Sequence, residues 1–138
     1  MQKLAMLSVE RELDLVVLSA VGDAEGPQAG YVRLAVSSRK SFETMVENFA
    51  LYRAYPVVAH MAHVVSGKTA GLRVKSAIET RLKMGGRHAR ASWFRVDGPE
   101  VLELSAVIAE QERVALMTAA QADERELKAL AKIMDKMR

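Results

Sequence analysis

Leu13 to Ala20 reads LDLVVLSA, Tyr31 to Ser37 reads YVRLAVS, and between them lies Gly22-Asp-Ala-Glu-Gly-Pro-Gln-Ala-Gly30. The first run is short, apolar and rich in branched residues, as a buried strand is. The segment after it, with three glycines and one proline in nine residues, is loop chemistry. Two β-type runs around a glycine-rich loop predict a hairpin, with a loop longer than the usual ~2–5 residues.

Working outward, Ser41 is a candidate N-cap for a helix from Phe42 to about Tyr52, because Phe42, Met45, Val46 and Phe49 share one face at helical spacing. Pro56 ends that element. Val57 to Val65 (VVAHMAHVV) predicts a third strand, and Ser66-Gly67-Lys68 a turn. From Thr69 to Met84 the period is helical again: Val74, Ile78 and Leu82 line one side, and Arg73, Ser76, Thr80 and Lys83 the other. Gly85-Gly86 stops this helix. Arg87 to Ser92 reads as a basic loop and Trp93 to Val96 as a short extended segment.

Asp97-Gly98-Pro99-Glu100 opens a helix expected to run to about Thr118. Asp123 with Glu126 suggests a capping box for a last helix, in which Leu127, Leu130, Met134 and Met137 form a narrow stripe. The order β-β-α-β-α-β-α-α predicts an α+β fold. It comprises a small three- to four-stranded antiparallel sheet flanked by helices over residues 1–97. A C-terminal helical region over 98–138 packs on that domain or on a partner.

Half of the 138 residues are apolar, enough for a core at this length. No cysteine is present, which excludes disulfides, thiolate metal sites and a thiol nucleophile. Glu10, Arg11, Glu12 and Asp14 interrupt any signal-peptide core, and no run approaches the ~18 apolar residues of a membrane span. The expectation is a cytoplasmic protein without membrane contact.

Charge is segregated along the chain. Residues 31–97 hold twelve Lys/Arg against four acids, a net of +8, whereas residues 1–30 net −3 and residues 98–138 net −2. A block of that sign attracts polyanions, nucleic acid first among them. Candidate contacts are Arg33, Arg39, Arg73, Lys83, Arg87, His88, Arg90 and Arg95. Trp93 can stack on an unpaired base or pack in the core. Glu79, the one acid of the basic helix, can hold a divalent ion or pair with Lys75 and Lys83 one turn away. His60 and His63, on a strand, fall on opposite faces by their odd spacing. Ser66-Gly67-Lys68-Thr69 echoes a phosphate loop, but Ala62 stands where its first glycine belongs.

With these residues in place, the layout resembles the GIY-YIG nuclease superfamily, in its small phage and bacterial branch. The resemblance rests on the hairpin LVVLSA–YVRLAVSS, the helix Ser76-Ala-Ile-Glu-Thr-Arg-Leu82, and the ending Arg87-His-Ala-Arg-Ala-Ser-Trp-Phe-Arg-Val96, over about residues 13–110. It implies that Glu79 corresponds to the metal-binding glutamate, with Mg or Mn as the ion if the domain cuts. The hairpin tyrosines of the family fall near Val16 and Arg33, with Tyr31 two residues from the second. The helix arginine falls near Phe42 or Glu43, with Arg39 close by. The motifs are therefore degenerate.

Three functions follow as expectations. The first is a nucleic-acid-binding domain, DNA ahead of RNA, impaired as a nuclease. The second is a working metal-dependent DNA endonuclease using Glu79, a divalent ion and a displaced base, Tyr31 or one of the histidines. The third is an interaction module, a homodimer or a docked protein partner, through Leu127, Leu130, Met134 and Met137.

Overall fold

In the computed structural model residues 14–137 are described. Leu13, the expected start of the first strand, lies outside them, as do Glu10, Arg11 and Glu12. The chain forms β1 (Leu15–Asp23), β2 (Tyr31–Ser38), α1 (Arg39–Leu51), β3 (Val57–Ser66), α2 (Lys68–Met84), β4 (His88–Arg90), β5 (Trp93–Arg95), α3 (Gly98–Gln111) and α4 (Ala119–Lys136). The fold is α+β, with one antiparallel sheet in the order β3-β1-β2-β5-β4.

β1, the first strand of the hairpin, is an inner strand of the sheet. It pairs with β2 from Val16↔Ser38 to Val21↔Arg33 and with β3 from Leu15↔Ser66 to Asp23↔Val57. Side chains alternate between the two faces of a strand. Val16, Leu18 and Ala20 therefore face one way, into a core with Val32, Leu34, Val65, Phe94, Val74, Ile78 and Leu82 of α2, and Val101 and Ile108 of α3. Gly71 lets α2 approach closely: a Cβ there would lie 3.1 Å from the Val16 side chain.

Val17, Ser19 and Val21 face the other way, beneath α1. At the β3 edge, Val64, Met117 and Ala122 form a second cluster with Leu15, and the Val64 and Met117 backbones bond to each other at 2.8 and 2.9 Å. α4 is fastened to α1 by Arg39, which donates to Glu126 and Asp123 at 2.6 Å each. The hydrogen bond to Asp123, foremost, holds the Arg39 pKa above its ordinary value.

Several local expectations are corrected. The sheet has five strands, because His88–Arg90 pairs with Trp93–Arg95 where a basic loop is expected. Three exposed residues on an outer strand carry no apolar alternation to betray them. Ser38, not Ser41, caps α1: its hydroxyl accepts from the Ser41 amide at 3.1 Å. α3 ends at Gln111 rather than near Thr118, with Arg113 at φ 57° just beyond. The capping box of α4 is Thr118 with Gln121; Asp123 and Glu126 lie inside the helix and serve Arg39 instead.

The histidine placement is also corrected. Ala20 faces Met61 and Val21 faces Ala59, so His60 is an unmatched bulge residue on β3. The bulge breaks the alternation. His63 faces Leu18 on the α2–α3 side, and the His60 ring lies against Gly98 of α3 on that same side.

His63 generates a test. Burial lowers its pKa from the ordinary 6.5. Between the folded and unfolded values the unfolded chain binds the extra proton, so stability is full above about pH 6.5 and falls as pH drops toward the folded pKa. Thermal melts from about pH 7.5 to 5.5 are expected to show a falling Tm that His63→Gln flattens. An unchanged pH slope in that variant would assign the effect to another group.

Candidate nucleic-acid interface

The basic block does not remain a block in three dimensions. At least five of its twelve cations are held by acids among the described residues: Arg39 by Asp123 and Glu126, Arg53 by Asp23, Arg73 by Glu112, Lys75 by Glu79, and Arg87 by Glu100. All of these acids except Glu79 come from the flanking segments. Three predicted contacts, Arg39, Arg73 and Arg87, are thus committed within the fold. Arg87 also donates to the Arg95 carbonyl at 3.0 Å, so with Glu100 it ties β5 to α3.

Arg33, Lys68, Arg81, Lys83, Arg90 and Arg95 make no ion pair among the described residues. Arg33 and Arg95 share a sheet face with Tyr31 and Trp93, because Tyr31 faces Arg95 and Arg33 faces Trp93 across β2 and β5. Arg90 faces Trp93 from the far side, across β4 and β5. Three free arginines and two aromatics therefore meet at one end of the sheet. Exposed His88 turns away: its ring lies 5.3 Å from that of Phe94, and Nε2 donates to the Ala91 carbonyl at 2.7 Å.

A cavity of about 420 Å³ opens at this end, lined by Pro27, Gln28, Tyr31, Arg53, Ala89, Arg90 and Trp93. Arg53 forms its floor. Its guanidinium donates twice to Asp23, at 2.8 and 2.7 Å, and lies 5.0 Å from the ring centres of both Phe49 and Trp93. Phe49 and Trp93 are themselves 5.6 Å apart. The hydrogen bond to Asp23 raises the Arg53 pKa from its ordinary value, against an opposing effect of burial. Asp23 is only 3% exposed, so Arg53 neutralises a buried carboxylate and has little charge left to offer a ligand. It supplies a flat surface; the unpaired charge lining the cavity belongs to Arg90.

Glu79 sits elsewhere. It rides on α2, whose buried residues Val74, Ile78 and Leu82 pack on the opposite sheet face from Tyr31, and its carboxylate pairs with Lys75 at 3.4 Å. Tyr31 lines the cavity and Glu79 does not. No cluster of three or more His, Asp or Glu side chains able to hold a metal ion occurs among the described residues. In α4 the buried residues are Ala122 and Ala129, while Leu127, Met134 and Met137 are 67%, 44% and 52% exposed and Leu130 is half-buried. No helix among the described residues is long and apolar enough to cross a membrane.

Arg53, Asp23 and Gln28 are absent from the sequence-based site. One signal for Arg53 exists: it stands four residues after Phe49, the spacing that stacks a cation on an aromatic along a helix. Nothing in the sequence alone connects Asp23 to it, since thirty residues separate the two. Comparison with protein-family models, with curated proteins and with solved structures finds no match to this chain.

The Asp23–Arg53 pair is expected to be structural as well as local. Arg53→Ala strands a buried carboxylate and is expected to cost on the order of 3 kcal/mol in chemical denaturation. Asp23→Asn combined with Arg53→Gln is expected to cost markedly less. Equal losses for the two variants would show that the charge pair is not what matters.

Proposed function

We propose that this chain is a nucleic-acid-binding domain of GIY-YIG-like build, DNA-directed, that binds without cutting. The observation that carries the reading is the gathering of Arg33, Arg90 and Arg95 beside Tyr31 and Trp93, while the acidic flanks cancel much of the remaining block. Unpaired arginines grip phosphates, and partly exposed aromatics suit bases. The order of hairpin, helix, strand, glutamate-bearing helix and basic stretch supports the family resemblance. Against cutting stands the separation of the residues such chemistry would need together: Tyr31 on one sheet face, Glu79 paired with Lys75 on α2 across the sheet, and Arg39 clasped by Asp123 and Glu126.

Binding to labelled DNA is expected to weaken steeply with salt. Replacing Arg33, Arg90 and Arg95 together by Ala should reduce the slope of log K against log salt by about three. Supercoiled plasmid with Mg or Mn ions should stay intact in wild type and Glu79→Ala alike. Absence of binding at low salt removes the reading; nicking that depends on Glu79 restores the endonuclease.

The exposure of Leu127, Met134 and Met137 favours a second, additional role for α4 as a contact with another copy or a protein partner. Sedimentation is expected to show self-association that Leu127→Glu with Met134→Glu abolishes. A monomer at all concentrations would exclude the homodimer.

A further inference from the structure

We infer that the cavity over the Arg53–Asp23 pair takes one unpaired nucleotide of a single strand, its base against the flat surfaces of Tyr31 and Trp93 and its phosphate on Arg90. This rests on the nucleic-acid reading above and goes beyond it by naming the form of nucleic acid that the site selects. Four observations converge on it.

The first is size. About 420 Å³ lies in the range of small-molecule sites and admits a base with its sugar, whereas a paired base stays in its duplex and does not enter. The second is spacing. Tyr31 and Trp93 are diagonal neighbours on one face across β2 and β5, positions that lie roughly 7–8 Å apart in an antiparallel pair. A flat ring stacks about 3.5–4 Å from its neighbour, and since Arg53 already lies over the Trp93 ring, the base takes the side of Trp93 that Arg53 leaves uncovered.

The third is the distribution of charge. Arg53 is already neutralised by Asp23, so the floor presents a planar surface without a strong claim on phosphate. Arg90, exposed and without an ion pair among the described residues, is the cation at the mouth. The wall therefore divides into a flat part for a base and a charged part for a phosphate.

The fourth is rigidity. The loop that brings Gln28 to the cavity is pinned at Gly26, where φ is 93° and a Cβ would fall 2.6 Å from the Tyr55 ring. The Gln28 amide, which both donates and accepts, is held at the opening by a packed turn and can meet the edge of a base. That side of the cavity is set in advance by the turn, which lowers the entropy lost on binding there, while the β4–β5 side is attached more lightly.

Trp93 is the sole tryptophan of the chain, so its fluorescence reports on the site directly. The protein is titrated with a single-stranded oligothymidylate, a blunt duplex of the same length, and thymidine 5′-monophosphate, at one salt concentration. The single strand is expected to quench Trp93 and bind about tenfold tighter than the duplex. Tyr31→Ala should remove about tenfold of single-strand affinity and weaken duplex binding by much less. Arg90→Glu, at an exposed position, should weaken the single strand more than the duplex. If Tyr31→Ala loses its folded circular dichroism, Tyr31→Leu keeps the bulk without the ring and makes the same comparison. Equal binding of the two forms without quenching overturns this inference and leaves the nucleic-acid reading standing. Saturable quenching by the mononucleotide but not by the strand overturns it in favour of a free-nucleotide site. No binding by either nucleic acid at low salt overturns both.

Discussion

The structure depends on a strand that has no exposed side. Every residue of β1 from Val16 to Asp23 is buried, and both edges of the strand are paired. A strand of this kind is stable only if both sheet faces are covered, and each fully buried Val or Leu then contributes roughly 1.5–3 kcal/mol relative to exposure. α2 and α3 cover one face and α1 the other. The last residue of β1 extends the constraint to the site. Asp23 is a carboxylate inside the protein, so a cation must meet it; Arg53 does, and Phe49 and Trp93 flank the guanidinium. The cavity is built outward from the end of this buried strand.

Charge follows a similar logic of closure. Read along the chain, a basic middle stands between two acidic ends. In the fold the ends return to the middle: Asp23 from the hairpin loop side takes Arg53, Glu100 and Glu112 from the two ends of α3 take Arg87 and Arg73, and Asp123 and Glu126 from α4 share Arg39. These contacts act as positional ties between helices and sheet, since partly exposed pairs add little stability of their own. What survives as unpaired positive charge among the described residues is smaller than the linear count suggests and divides between α2, with Lys68, Arg81 and Lys83, and the end of the sheet, with Arg33, Arg90 and Arg95.

The hairpin, the two central helices and the third strand were legible because their apolar periods are strong and long. Features that depend on a tertiary partner were not. Ser38 and Ser41 are equally good caps by composition, and only the position of the preceding strand selects Ser38. Asp123 and Glu126 have the spacing of a capping box, yet Arg39, more than eighty residues away in sequence, determines their use. The bulge at His60 inverts a parity argument that is sound for an unbroken strand. Of the site, Tyr31, Arg33, Arg90, Trp93 and Arg95 could be named from charge and aromatic content. Arg53 could not, because its role is set by a carboxylate on another element.

The two ends of the sheet differ in how they would come apart. β1 is paired with β3 from Leu15 to Asp23 and with β2 from Val16 to Val21, so its middle amides open only when the domain does. β5 meets β2 through three residue pairs, and β4 meets only β5. A hairpin attached so lightly can separate and re-form while the rest of the sheet stays closed. Amide exchange would then run fastest at Arg90 and Trp93 and slowest only two strands away. The protein thus combines a firmly held strand with a lightly attached margin, and both properties come from the uneven lengths of its strands.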